Sequence, residues 1–239
     1  MLFFLALTAC DDNTAETPEE KPPAEEITPA PPEPPTPPVV TPDEPPAEPI
    51  PEALVPPASH PASPDSYTIT WETTKGAFDT TCTRSWAPNG ADRLYHLVQS
   101  GFYEDVAYFR VIDGFMAQFG LHGNPAVTKQ WKEASIDDDP AGQSNKLGYL
   151  TFATAGPNTR TTQLFINFGD NARLDESGFT PVCKVDGKGM DTVNALYKGY
   201  GEGAPRGRGP SQGLIHKRGN EYLREAFPEL DYIKTATIK

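Results

Sequence analysis

Between residues 67 and 73, Tyr67, Ile69 and Trp71 alternate with Thr68, Thr70 and Glu72, which predicts a half-buried strand. Thr74-Lys75-Gly76 then reads as a turn, and 77–84 returns as the second arm of a hairpin. Pro88 marks a helix start, Ala91, Leu94, Tyr95, Leu97 and Val98 supply its apolar face, and Gly101 stops it. Strands are expected at 107–112 and 115–119, followed by a long polar excursion over 122–146. Further strands fall at 150–153, 163–167 and 179–185. Met190, Val193, Asn194 and Tyr197 mark a second helix. Asn220 is read as the cap of a short third helix reaching Phe227 and halted by Pro228, with a closing strand at 231–238. Eight short strands and two principal helices predict a mainly β, closed barrel capped by helices. Periodicity alone leaves a two-sheet sandwich as a rival.

The 27 prolines and the net charge of −13 are spread unevenly over the 239 residues. Residues 1–65 carry 13 acidic side chains against the single Lys21, while the remainder carries 20 against 19 basic ones. The acidity therefore belongs to the leading segment, and a near-neutral folded part gives no electrostatic case for nucleic acid. From Thr14 to Pro64 the chain is dominated by Pro, Glu, Ala and Thr and has no Phe, Trp or Tyr. Such a stretch buries too little apolar surface to offset its ordering entropy, so 11–65 reads as a disordered, extended tether.

Met1 to Ala9 is a short apolar run, and Leu7-Thr8-Ala9-Cys10 resembles the lipobox of bacterial lipoproteins, in which the cysteine thiol is acylated. Residues 1–10 are accordingly read as a signal remnant, with a start upstream because a basic flank is missing. Nine residues fall far short of the roughly 20 needed to span a bilayer. The expected setting is the cell envelope, lipid-anchored through Cys10 and facing the periplasm or the exterior. Asp11 resembles the residue that retains some lipoproteins in the inner membrane of Gram-negative bacteria.

The chemistry concentrates in 109–120, Phe-Arg-Val-Ile-Asp-Gly-Phe-Met-Ala-Gln-Phe-Gly, and in 150–166, which contains Ala153-Thr154 and Gln163-Leu164-Phe165. These stretches hold one arginine, two glutamines and apolar side chains, with no candidate nucleophile, metal-ligand pair or phosphate cradle. That set suits a reaction in which no covalent bond breaks, such as rotation about a prolyl peptide bond, and it calls for no cofactor or metal. No proton needs to move, so His60, His96, His122 and His216 are not required.

These two motifs, with Leu174-Asp175 and Gly178-Phe179-Thr180-Pro181, resemble the cyclophilin family of peptidyl-prolyl cis-trans isomerases over 67–238. The resemblance implies an eight-stranded antiparallel barrel with a helix closing each end and a substrate groove on its outer face, formed by 66–239. By motif position, Arg110 matches the catalytic arginine, with Gln118 and Gln163 beside it. Phe115, Met116, Phe165 and Leu174 match the proline pocket, and Ala153 and Thr154 match the backbone that pairs with the substrate. Two departures stand out: Arg173 where many members carry an aromatic important for cyclosporin, and Phe179 where others have a histidine that bonds the substrate. The implied protein is a monomer that acts on Pro-containing polypeptides and assists exported proteins in folding. The competing reading is a module that grips Pro-containing segments without turnover.

Other features receive plainer expectations. Asp137-Asp138-Asp139 lacks the spacing of a calcium loop and reads as solvated. The Gly- and Pro-rich run 199–210 follows a helix and lacks a Lys-Ser/Thr step, so it reads as a flexible insertion rather than a nucleotide site. With Cys10 acylated, Cys82 and Cys183 remain as an even pair, which in an exported domain allows one disulfide.

Overall fold

The computed structural model describes residues 49–239, so the expected signal remnant, Cys10 and the expected tether up to residue 48 lie outside the described residues. The hairpin forms as its alternation predicts. β1 (Ser66–Thr73) pairs antiparallel with β2 (Gly76–Thr83), with Trp71 opposite Phe78. Tyr67, Ile69 and Trp71 on one strand and Phe78 and Cys82 on the other turn inward, since successive side chains of a strand face opposite sides. The Trp71 indole sits at the centre of the core, edge-on to Tyr103 and Phe119, with its Nε1 donating to Thr80 Oγ1 at 2.9 Å.

The remaining strands are β3 (Val106–Ala107), β4 (Arg110–Ile112), β5 (Met116–Phe119), β6 (Tyr149–Phe152), β7 (Leu164–Asn167), β8 (Pro181–Val185) and β9 (Tyr232–Ile238). They form one nine-stranded antiparallel sheet in the order β3-β9-β1-β2-β8-β6-β7-β5-β4. The closed eight-stranded barrel needs correction on this point. The expected strand 107–112 breaks at Tyr108-Phe109, with β3 pairing to β9 and β4 to β5. The two sheet edges are thus consecutive pieces of one chain, and the sheet curls back on itself at an unpaired seam. Cys82 and Cys183 are direct cross-strand partners on β2 and β8 and form a disulfide linking positions 101 residues apart.

Helix α1 (Pro88–Gln99) buries Ala91, Leu94, Leu97 and Val98 against the sheet, as its spacing predicts. Its own N-cap, Ala87, offers no side-chain acceptor. Asp139 supplies the cap instead, its carboxylate accepting from the backbone N–H of Asn89 at 2.8 Å and of Gly90 at 2.9 Å. Asp139 also pairs with the buried Arg160 at 3.0 Å. The triple-acid run is solvated as expected at Asp137 and Asp138, but its last member, Asp139, is buried and closes a helix N-terminus, where the backbone dipole favours a carboxylate.

Three other expectations change. The polar excursion contains helix α2 (Pro125–Lys132), started by Asn124, whose side chain accepts from Ala126 N–H at 2.9 Å. After the short α3 (Gly189–Asn194), α4 (Gln212–Ala226) joins two helical segments across a non-helical Gly219, so the expected short helix from Asn220 is its second segment. It is kinked at Gly219, whose φ of 54° and close approach to the Gly123 carbonyl leave no room for a Cβ. Asn220 does not cap it but donates to the Asp105 carbonyl at 2.8 Å. Finally, residues 49–65 do not behave as part of the expected tether. Ile50 and Leu54 pack on the core, and Trp131 Nε1 donates to the Leu54 carbonyl at 2.8 Å. Farther along, Arg93 Nε donates to His60 Nε2 at 2.6 Å, and Ser63 donates twice to Asp92. A few apolar and polar anchors hold 49–65 against the domain despite its proline-rich composition.

Candidate active site

Strand parity builds the site. On β4, β5 and β7, Val111, Ala117, Phe119, Leu164 and Ile166 enter the core, so Arg110, Met116, Gln118 and Phe165 emerge on the outer face. Register then brings them together. Arg110 stands directly opposite Gln118 across β4–β5, and Gln118 stands opposite Phe165 across β5–β7. Directly opposed cross-strand side chains are close neighbours. Arg110 Nη1 donates to Gln118 Oε1 at 3.0 Å, and Gln118 Nε2 donates to Gln163 Oε1 at 3.0 Å.

These side chains rim a pocket of about 130 Å³. Phe115, Met116, Phe165, Leu174 and Phe179 form its apolar wall, and Arg110, Gln118, Ala153 and Thr154 form its polar lip. Every residue singled out for substrate contact lines this pocket, while Gln163 stands behind Gln118 and reaches the pocket through it. Phe179 meets Phe165 edge-on at 5.7 Å, closing one side. The Arg173 guanidinium lies over the Phe115 ring at 4.8 Å. Thr154 turns its hydroxyl back to its own turn, bonding Gly156 O and Thr159 Oγ1. A larger open depression of about 760 Å³ near Asp79, Asp186 and Lys239 gathers no comparable set, and its Lys239 is bonded to Asp79 at 2.6 Å.

Two features of the site escape the motifs. The first is the support of the wall. The fully buried Asn145 donates to Asp175 Oδ1 at 2.8 Å and to the Phe179 carbonyl at 2.7 Å, and accepts from Thr151 Oγ1 at 2.8 Å. Asn171 donates to the Phe115 carbonyl at 2.9 Å and to Asn167 Oδ1 at 2.8 Å. This amide network fixes the segment carrying Leu174 and Phe179. Partial burial pulls the Asp175 carboxyl up, but hydrogen bonds from Ser144 and Asn145 leave it below its ordinary value.

The second feature is Glu202. Its carboxylate accepts from Arg110 Nε at 2.6 Å and from Nη2 at 2.7 Å, a bidentate pair between positions 92 residues apart. The hydrogen bond from Arg110 holds the Glu202 carboxyl below its usual range. Glu202 sits in the run read as a flexible insertion, which is instead an internally bonded loop. Gly209 N–H donates to the Glu202 carbonyl at 2.8 Å, and Ala204 N–H donates to the Gly209 carbonyl at 3.1 Å. A lone acid among glycines was the signal available in the sequence.

Arginine charge beside an apolar niche can favour a species that gains electron density at an atom held in the niche. Among the described residues no cluster of three or more His, Cys, Asp or Glu could hold a metal ion.

Residues 68–212 match the family model described as cyclophilin type peptidyl-prolyl cis-trans isomerase/CLD. A peptidyl-prolyl cis-trans isomerase from Synechococcus elongatus is 33% identical over 130 residues, covering 54% of this chain and 87% of that protein. The fold is similar to that of a cyclophilin type peptidyl-prolyl cis-trans isomerase from Cryptosporidium parvum, with a TM-score of 0.54 and 22% identity, covering 73% of this chain and 98% of that one. A second structure of that protein, solved in the presence of the dipeptide Ala-Pro, aligns with a TM-score of 0.52.

Proposed function

The chain belongs to the cyclophilin-type peptidyl-prolyl cis-trans isomerase family, and from that premise we propose that it acts in the cell envelope with Arg110 as its catalytic donor. The observation that carries the reading is the position of Arg110, on the polar lip of the apolar pocket and bonded to Gln118 on the same face.

The chemistry follows from amide resonance. That resonance sets a rotation barrier of about 18–20 kcal/mol, and uncatalysed prolyl isomerisation takes tens to hundreds of seconds. As the bond twists, resonance is lost, the prolyl nitrogen becomes pyramidal, and its electron pair becomes available to a donor. A guanidinium N–H aimed at that nitrogen binds the twisted species better than either planar isomer, and this difference lowers the barrier. Arginine suits the task because its fork is planar and keeps its charge.

In this reading Phe115, Met116, Phe165 and Leu174 hold the pyrrolidine ring while the acyl side rotates. Ala153 and Thr154 present backbone to the substrate chain. Gln118 orients the Arg110 fork, and Gln163 orients Gln118. Phe179 packs on the ring but donates no hydrogen bond, so grip here is more apolar than polar. Burial of the niche removes water that would compete for the arginine.

The envelope assignment draws on Cys10 in its lipobox-like setting and on the Cys82–Cys183 disulfide, which suits an oxidising compartment. Exported polypeptides with slow Xaa-Pro bonds are the proposed clients, reached from a lipid anchor at Cys10. Expression in a bacterial host with labelled palmitate tests this: label in the protein that is absent from Cys10→Ser supports the anchor, and an unlabelled membrane-free protein refutes it. A protease-coupled assay on an Xaa-Pro tetrapeptide tests the activity. Tight binding with an unchanged isomerisation rate would instead identify a non-catalytic Pro-peptide module.

A further inference from the structure

Arg110 occupies an edge strand, since β4 ends the sheet order and on its far side has the bridge from Val111 to Gly201 in place of a further strand. A long side chain at such an edge has much rotamer freedom to lose, and the loss opposes any single catalytic geometry. The Gln118 bond fixes one corner of the guanidinium at 3.0 Å. The opposite edge, Nε with Nη2, is held by both carboxylate oxygens of Glu202.

Resting on the isomerase reading, we infer that Glu202 is a positioning residue for this reaction: it grips the far edge of the Arg110 fork and turns the near edge toward the proline pocket.

The loop carrying Glu202 is built for a fixed presentation. Gly201 bridges to Val111, the residue after Arg110, so the loop is tied to β4 beside its target. Lys198, just before the loop, pairs with Asp113 in the β4–β5 turn at 2.6 Å and lies over the Phe168 ring at 4.9 Å. Glu202 Oε1 also accepts from Gly203 N–H at 2.9 Å, so the carboxylate is held by its own loop as well as by Arg110. A Cβ at Gly207 would fall 2.2 Å from the Glu202 carbonyl, which is why the loop around this acid is glycine-rich.

The alternative, that Glu202 merely neutralises the arginine, fits the donor inventory less well. A guanidinium has five N–H groups. Two go to Glu202 and one to Gln118, and Nη1 otherwise meets only Met116 Sδ at 3.9 Å, a weak acceptor on the pocket wall. A substrate displaces the thioether without breaking the Glu202 pair, so the grip and the catalytic contact use different edges of the same group.

The test compares wild type, Glu202→Ala, Glu202→Gln and Arg110→Ala in the full-length protein, with Xaa-Pro tetrapeptide turnover and the ¹⁵N-edited Arg Nε–H signal as readouts. Glu202→Ala is expected to lower kcat/KM by roughly ten- to a hundredfold, carried by kcat with KM little changed, because misplacing a catalytic group by about 1 Å costs on this scale. The isosteric Glu202→Gln, whose amide oxygen still accepts, should recover part of that loss. The Arg110 Nε–H resonance should shift in Glu202→Gln and be lost to solvent exchange in Glu202→Ala. An active wild type and dead Arg110→Ala, with either Glu202 variant as fast as wild type or faster, would overturn the inference alone. An inactive wild type would instead overturn the isomerase reading beneath it.

Discussion

The guanidinium of Arg173 lies over the ring of Phe115, 4.8 Å from its centroid, beside the pocket that Phe115 helps to line. The ring is fixed from behind, since the Phe115 carbonyl accepts from Asn171 Nδ2 at 2.9 Å, while Asn171 Oδ1 accepts from Arg173 at 3.1 Å. Arg173 thus places a cation over Phe115 at the position where, by the family resemblance, many members carry an aromatic side chain. Exposed cation–π pairs contribute about 0.5–1 kcal/mol, so Arg173→Ala should raise KM for an Xaa-Pro peptide roughly two- to fivefold with kcat little changed. Since cyclosporin binding in the family depends on an aromatic at this position, Arg173→Trp should tighten that ligand at least about tenfold by calorimetry. Equal affinity in the two proteins would show that the position does not govern the drug.

The pocket wall should be softer than the barrel once its amide support is removed. Asn145→Ala leaves the Phe179 carbonyl and the buried Thr151 hydroxyl without their Asn145 partner, while Asp175 keeps its bonds from Ser144 and from the backbone N–H of residue 145. Each unsatisfied buried group costs about 1–3 kcal/mol, so a loss of roughly 3 kcal/mol in denaturant unfolding is expected. Faster hydrogen exchange confined to 171–180 and a raised KM should accompany it. A uniform loss of protection across all strands would point to general destabilisation instead.

Legibility in the sequence followed the range of the interactions. The β1–β2 hairpin and α1 were legible because one residue in two, or an i, i+3, i+4 face, already states which side is buried. The pocket was legible only through the family resemblance of its motifs, since Gln118 and Gln163 meet across 45 positions and Leu174 and Phe179 belong to a third stretch. The ninth strand was not, since the break at Tyr108-Phe109 depends on which neighbour each half meets. Helix α2 was hidden by its composition: eight residues, with only Val127, Thr128 and Trp131 buried, look polar, although Asn124-Pro125 is a start signal. Glu202 and Asp139 act across 92 and about 50 residues, and no period or spacing reports a contact at such a distance.

The disulfide should matter for stability and not for turnover. Cys82 and Cys183 are fully buried on β2 and β8, away from the pocket lining. A disulfide typically stabilises a fold by about 2–4 kcal/mol. A melt in reductant should therefore shift several degrees lower, while kcat/KM at 15 °C stays within about twofold of the oxidised protein. Two free thiols in the unreduced, denatured protein would contradict the linkage.

Docking of 49–65 should weaken in acid. His60 accepts from Arg93 Nε, which requires a neutral ring. Burial first, then the charges of Arg93 and His96, push His60 down from 6.5 to about 4, with Asp92 pulling the other way. The undocked ring takes up its proton near 6.5, so the docked state binds fewer protons between these values. Docking should then be complete above about pH 6.5 and fade as pH falls toward 4, by on the order of 1 kcal/mol once solvent screening is counted. Trp131 fluorescence against pH reads this directly, because the indole stacks on His60 and donates to Leu54. A His60→Asn variant with the same acid transition would assign it to another group, such as His96.

The central claim, that one guanidinium at the lip of the Phe115–Phe165 pocket meets the prolyl nitrogen during rotation, is tested most directly by Arg110→Ala in a coupled Xaa-Pro tetrapeptide assay. Deleting one such electrostatic donor costs about 10²–10³ in rate. The account predicts that kcat/KM falls on this scale while thermal stability and peptide affinity stay near wild type. An Arg110→Ala protein that is folded and isomerises the peptide at the wild-type rate would contradict it.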